Sequence, residues 1–117
     1  YRARGQGNEE WAQVLEDAKA VDEAGAFAMV VEGVIEPLAA EISRSVKTVT
    51  IGIGASAACD GQVLVTEDML GLFERTPRFV KRFDTLADRI SAAVGTYAKQ
   101  VKDRSFPSED YIYPKKK

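Results

Sequence analysis

The chain has 117 residues, of which 45% are hydrophobic and 29% charged, and its net charge is −2. This is the composition of an ordinary globular domain, and it excludes a disordered or fibrous chain. Cations cluster only at Lys115-Lys116-Lys117, and the longest apolar run is Ala26 to Val31, so neither a nucleic-acid-binding surface nor a membrane helix of roughly 20 residues is expected.

Residues 1–7 carry two glycines and two arginines without an apolar period and are expected to form a loop. Asn8 is the expected cap of a first helix, with Glu9 and Glu10 in its first turn at the positive end of the dipole. Trp11, Val14, Leu15, Ala18 and Val21 recur at spacings of three and four and make one apolar stripe. Gly25 is expected to end that helix in a left-handed conformation. Residues 26–31 form a continuous apolar run, the pattern of a parallel strand buried on both faces. Pro37 fits the first turn of a second helix, with Leu38, Ala39, Ile42 and Val46 inward.

Val49 to Ile53 is the next expected strand, and its glycines Gly52 and Gly54 signal close approach by another backbone or a ligand. A loop of small residues, 54–61, leads to a short strand at 62–65 and a helical turn at 67–71. Residues 72–83 are a connection containing Pro77 and several cations. A last helix is expected over 84–103, with Leu86, Ile90, Ala93, Val94, Tyr97 and Val101 as its core-facing stripe. Residues 108–117 are a tail, with a disordered end at Lys115–Lys117. Alternating buried strands and amphipathic helices imply a parallel α/β sheet with right-handed crossovers. Three strands cannot close a barrel, which needs eight βα units and roughly 250 residues. Residue 1 is Tyr, not Met, which suggests a chain taken from something longer.

There is no histidine and a single cysteine, Cys59. Histidine triads and histidine metal sites are thereby excluded within the chain, and no internal disulfide can form, as in a reducing compartment. In a parallel sheet, function sits at the carboxyl ends of the strands. That selects Glu32-Gly33, the loop from Gly54 to Gly61, and Thr66-Glu67-Asp68. Glu32 directly follows the apolar run, where partial desolvation would raise its pKa toward that of a useful base. The alternative is a solvated or helix-capping loop residue. Gly52-Ile53-Gly54 has the spacing of a phosphate cradle but lacks the longer GxGxxG form, and packing and turn glycines explain it as well. Cys59 reads as a small loop residue. Glu67 and Asp68 either bind a hard cation together with Glu32 or start a helix. Arg78, Lys81 and Arg82 flank Phe79-Val80 and either meet an anionic ligand or form a solvated face.

Taken in order, a set of segments resembles one family, ketopantoate hydroxymethyltransferase (3-methyl-2-oxobutanoate hydroxymethyltransferase). They are Asp17-Ala18-Lys19-Ala20 with Glu23-Ala24-Gly25-Ala26, Val30-Val31-Glu32-Gly33-Val34, Thr50-Ile51-Gly52-Ile53-Gly54-Ala55, and Cys59-Asp60-Gly61-Gln62-Val63-Leu64-Val65. Asp68-Met69-Leu70-Gly71, residues 77–83 and Phe106-Pro107-Ser108-Glu109 also match, and Tyr1 and Gly5 resemble the end of the family's glycine-rich loop. The resemblance implies that 1–117 is the C-terminal half of one (β/α)8 TIM barrel of the phosphoenolpyruvate/pyruvate superfamily.

The activity so implied is one-carbon transfer from 5,10-methylenetetrahydrofolate to 3-methyl-2-oxobutanoate, giving ketopantoate on the way to pantothenate and coenzyme A. The resemblance further implies a Mg²⁺ whose ligands lie in the N-terminal half, a homo-oligomer (a decamer in the family), and a cytoplasmic location. It carries the family's catalytic base onto Glu32. Departures from the family pattern fall at Arg4, Ser56, Glu67 and Tyr111-Ile112-Tyr113. The competing expectation is a non-catalytic α/β fragment or folding unit that needs a partner half-barrel.

Overall fold

Residues Asn8–Glu23 form α1 in the computed structural model, which describes residues 2–116. The cap is Gly7, not Asn8, and no side chain bonds the first amides. The Glu10 carboxylate instead turns back to the amides of Gly5 at 2.9 Å and Gln6 at 3.3 Å. Gly25, at φ +86°, ends α1 as expected. Its amide donates to Asp22 O and that of Ala26 to Val21 O, which satisfies carbonyls the helix would leave unpaired.

Strand β1 spans Ala28–Glu32, later than the apolar run because Ala26 is taken up in the helix exit and Phe27 is 94% exposed. Helix α2, Glu36–Ser45, carries Pro37 in its first turn and buries Leu38, Ala39, Ala40 and Ile42. Val46 is its C-terminal cap and packs beside the core. Strand β2 is Val49–Ile53 and β3 only Gly61–Gln62. The sheet runs β1-β2-β3 in chain order, with both pairs parallel. This is the expected parallel α/β arrangement. Residues 63–65 continue the chain beyond β3 without a partner on the outer side, so Val63 and Val65 stay half-exposed.

The core lies on one face of the sheet. Ala18 of α1, Leu38, Ala39 and Ile42 of α2, and Val31 of β1 meet there with Ala55 and Cys59. Trp11 Nε1 donates to Glu41 Oε2 at 3.1 Å and ties the two helices. Burial of the strands on both faces is not observed: Val31 is buried, while Val30 is 60% exposed and Glu32 is exposed. The reason is the period-2 alternation of a strand, which turns Ala28, Val30 and Glu32 to the side that no helix among the described residues covers.

Helix α3 is Thr66–Met69, and α4 is Leu86–Asp103. The start of α4 is fastened to the end of α3, with Leu86 N donating to Leu70 O at 2.9 Å and Ala87 N to Gly71 O at 3.2 Å. Beyond that anchor α4 buries no residue, and Ile90, Val94, Tyr97 and Val101 are exposed, against the expectation of a core-facing stripe. An amphipathic helix needs an opposing surface, and among the described residues α4 meets, beyond its anchor, the tail through Phe106 against Tyr97, which buries none of its residues. The Cα radius of gyration is accordingly 23.9 Å, against about 13 Å for a compact domain of this size. The tail is partly ordered, with a 3-10 turn at Glu109–Tyr111 and Phe106 packed between Tyr97 and Tyr111. Tyr1 and Lys117 lie outside the described residues. Among the described residues no helix is long and apolar enough to cross a membrane.

Candidate active site

The uncovered face of the sheet is apolar along its length and ends in a carboxylate. Ala28, Val30 and Glu32 pair in register with Val49, Ile51 and Ile53. Partners in register share a face, so Glu32 stands beside Ile53 at the carboxyl end, above Val30 and Ile51. It is the one carboxylate that the described strands carry. Glu32 is exposed, so the desolvation expected at a strand mouth is not observed: among the described residues no helix lies over that face.

Gly33, at φ +64°, follows and turns the chain away toward α2. The N-terminal loop is bound to this turn. Arg4 N donates to Gly33 O at 2.6 Å and Ile35 N to Arg4 O at 3.0 Å, a parallel bridge between Arg4 and Val34. Residues 2–7 are therefore not a free loop: a single parallel bridge ties Arg4 to Val34, just beyond the carboxyl end of β1. Glu10 holds them there, accepting the Gly5 and Gln6 amides and the Arg4 Nε at 2.7 Å. The Gly5 amide, with help from Gln6 and the charges of Arg2 and Arg4, holds the Glu10 carboxyl below its usual range.

A cleft of about 430 Å³ opens at the carboxyl ends of β1 and β2, walled by Val34, Ile53, Gly54, Pro77, Arg78 and Phe79. Gly54, at φ +58°, makes it possible, since a Cβ there would collide with Phe79 Cβ and its ring. The close approach expected at Gly54 is thus by Phe79, a side chain of this chain. Gly52 similarly makes room for Cys59 Sγ and the Gln62 amide. The phosphate-cradle alternative has no support from this packing.

The 54–61 loop is held by buried polar groups. Ser56 Oγ donates to Glu36 Oε1 at 2.7 Å and accepts the Ala58 amide at 3.0 Å, while its carbonyl accepts Gln62 Nε2 at 2.7 Å. Ser56 therefore ties the strand-end loop to α2. Asp60 is more than a turn residue: its Oδ2 accepts the Thr50 amide at 2.8 Å, and its own amide reaches Thr50 Oγ1 at 3.2 Å. Cys59 is buried, as a small packing residue would be.

Glu67 and Asp68 lie in the first turn of α3, as a helix start requires. They are not brought together with Glu32: among the described residues no three of His, Cys, Asp and Glu come close enough to hold a metal ion. Arg82 Nη2 donates to Glu74 O at 2.6 Å and Lys81 Nζ lies 5.0 Å from the Phe83 ring, which leaves Arg78 as the cation of that segment at the cleft. Sequence reading did not foresee the roles of Glu10, Asp60 and Phe79. Asp60 and Phe79 join segments apart along the chain, which no local pattern marks, while Glu10 reaches back only four and five residues to the Gln6 and Gly5 amides.

A sequence model described as ketopantoate hydroxymethyltransferase matches residues 1–109. The chain is 56% identical to the 3-methyl-2-oxobutanoate hydroxymethyltransferase of Erythrobacter litoralis over 99% of its own length and 40% of that protein. It is 56% identical to the protein of the same name from Maricaulis maris, covering 100% of this chain and 42% of that one. For the Sphingopyxis alaskensis protein of that name the identity is 58%, over 97% of this chain and 39% of the relative. The chain thus spans about two fifths of the length of the curated relatives it matches. It belongs to the ketopantoate hydroxymethyltransferase family.

Proposed function

We propose that this chain forms the carboxyl-terminal half of a (β/α)8 barrel that transfers a one-carbon unit from 5,10-methylenetetrahydrofolate to 3-methyl-2-oxobutanoate, giving 2-dehydropantoate. Glu32 is the general base. One observation carries the reading: Glu32 is the single carboxylate at the carboxyl end of an apolar, uncovered sheet face. That is where a parallel barrel places its reacting groups. The names of the relatives support the reaction class.

The reaction asks for a base. The hydrogen on carbon 3 of the oxo acid lies next to the carbonyl, and its removal leaves an enolate. On this reading a Glu32 oxygen takes that proton and the C–H electron pair becomes the enolate. Water takes the place of the two C–N bonds that hold the one-carbon unit, releasing tetrahydrofolate and a carbon at the formaldehyde level; carbon 3 of the enolate bonds to that carbon, and its oxygen takes up a proton to give the hydroxymethyl group. The apolar neighbours Val30, Ile51 and Ile53 exclude water from the carboxylate once the face is covered, which favours proton transfer from carbon.

The open face and the exposed stripe of α4 are what the amino-terminal half of the same barrel would cover, and that half is the proposed partner. The sheet's chain-order winding supports the barrel. The Mg²⁺ of the family does not fit the described residues, since no ligand cluster exists among them. Its ligands, on this proposal, belong to the amino-terminal half. A cytoplasmic homo-oligomer completes the proposal.

The test is exchange of the carbon-3 proton of the oxo acid with deuterated water, followed in the complete enzyme without folate. A positioned base contributes about 10²–10⁴-fold, so Glu32→Gln is expected to slow exchange by a factor of that order. Exchange at the parental rate would remove Glu32 from the role.

A further inference from the structure

Glu32 is exposed, so its direction is set by the main chain on either side of it. Before it, β1 runs in register with β2 up to the Glu32–Ile53 pair. After it, Gly33 turns the chain at φ +64°, outside any helix or strand. The main chain of Arg4 holds that turn. Its amide donates to Gly33 O at 2.6 Å, and its carbonyl accepts the Ile35 amide at 3.0 Å. The backbone is thereby pinned on both sides of Val34, directly after the proposed base.

Arg4 belongs to no strand, and its hold on the turn depends on what fixes Arg4 itself. Glu10 does so. One carboxylate oxygen accepts the Gly5 amide at 2.9 Å and the Gln6 amide at 3.3 Å, and the other takes Arg4 Nε at 2.7 Å. Bonds to an ionised acceptor are about twice as strong as neutral ones. A capping box would be satisfied at the amide of the N-cap residue, here Gly7. Glu10 reaches past Gly7 to the two residues before it, so its carboxylate serves the incoming segment and not the helix end. The helix that carries it is anchored: Trp11 is bonded to Glu41 of α2, and Ala18 lies in the core. A polar path thus runs from the packed part of α1, through one carboxylate and the Arg4 main chain, to the turn after Glu32.

We propose that Glu10 is a positioning residue for Glu32: it fixes the segment whose Arg4 main chain clamps the turn that aims the base. The assignment rests on the reading of Glu32 as the base in the preceding subsection. Glu10 touches no substrate and takes no proton. It acts on distance, to which proton transfer is steeply sensitive: a misplacement of about 1 Å can cost about 10²-fold.

The experiment is carbon-3 exchange by the complete enzyme over a range of oxo acid concentrations, for the parent, Glu10→Ala and Glu10→Gln. Glu10→Ala is expected to lower the maximal exchange rate by up to about 10²-fold and to leave KM for the oxo acid unaltered. Glu10→Gln keeps the size and an oxygen for the Gly5 and Gln6 amides but loses the charge. It should fall between parent and alanine, and it guards against a variant that does not fold. Both changes are then repeated in the Glu32→Gln background. A residue that acts only through Glu32 slows exchange no further there, whereas a general loosening of the fold slows both backgrounds alike. Equal slowing in the two backgrounds overturns the assignment, and so does a raised KM with a parental maximal rate. Parental exchange in Glu10→Ala overturns it as well, or in Glu10→Gln should the alanine variant not fold. Failure of Glu32 as the base shows in Glu32→Gln alone, by exchange at the parental rate, so the two readings fail separately.

Discussion

Asp22 and Thr48 are joined at the end of the sheet opposite Glu32: Asp22 Oδ1 accepts the Thr48 amide at 2.8 Å and its hydroxyl at 2.5 Å. The Lys47 amide adds a third bond at 3.1 Å. The carboxylate at the end of α1 thereby fixes the entry of β2. The Thr48 hydroxyl first, then the amides of Thr48 and Lys47, hold the Asp22 carboxyl below its ordinary 3.8.

A lowered folded-state pKa contributes stability that is present above the unfolded value and is lost as pH falls through the folded one. Glu10, ordinarily 4.5, and Asp103, ordinarily 3.8, are shifted the same way. The complete enzyme is therefore expected to lose stability as pH drops below about 4.5, and Asp22→Asn should flatten part of that loss. Denaturant midpoints between neutral pH and pH 3 measure it. A variant with the parental pH profile would show that the Asp22 bonds do not contribute.

Leu38 is fully buried between α2, the core and the loop at Gly5, whose own position leaves no room for a Cβ against Leu38 Cδ2. Leu38→Ala should cost about 2–5 kcal/mol, through lost transfer energy and the cavity left behind. It should also loosen the Arg4–Val34 bridge. Urea denaturation gives the first effect, and amide exchange at Arg4 and Ile35 gives the second.

Gly54→Ala combines a left-handed backbone with a collision against Phe79. A non-glycine residue held in that region costs about 1–3 kcal/mol before any clash is counted. The variant should be less stable than its Gly7→Ala counterpart, since Gly7 has open space around it and a negative φ. Thermal denaturation of the pair decides it.

Glu32→Asp keeps the carboxylate but withdraws it by one methylene. A displacement of that size is expected to slow carbon-3 exchange by about 10²-fold, less than the worst loss foreseen for Glu32→Gln. An aspartate as active as the parent would mean that reach does not matter, contrary to a base positioned by β1.

Expressed by itself, the 117-residue chain should self-associate. It exposes Val30 and Val49 on the sheet face and Ile90, Val94 and Tyr97 on α4, and the outer edge of β3 is unpaired beyond Gln62. Open edges and apolar faces of this kind seek partners. Sedimentation velocity across a concentration series would reveal the association, and a stable monomer at all concentrations would contradict it.

The local elements were legible in the sequence because their causes are local. The spacing from Trp11 to Ala18, the glycine at 25, Pro37 in a first turn and the β-rich run at 49–53 each act over a few residues. Parallel pairing followed from the alternation of buried strands with helices, and Glu32 stood out as the carboxylate that ends an apolar run. Only the tertiary structure decided which side of the sheet is covered. Burial of Val31 and exposure of Val30 depend on where α1 and α2 pack, and a run of six apolar residues looks the same from both faces. Likewise, the seat of Phe79 on Gly54 and the exposure of α4 arise from three-dimensional packing. Periodicity describes a helix's apolar face but not the surface opposite it, and so the stripe of α4 could be read while its lack of a partner could not.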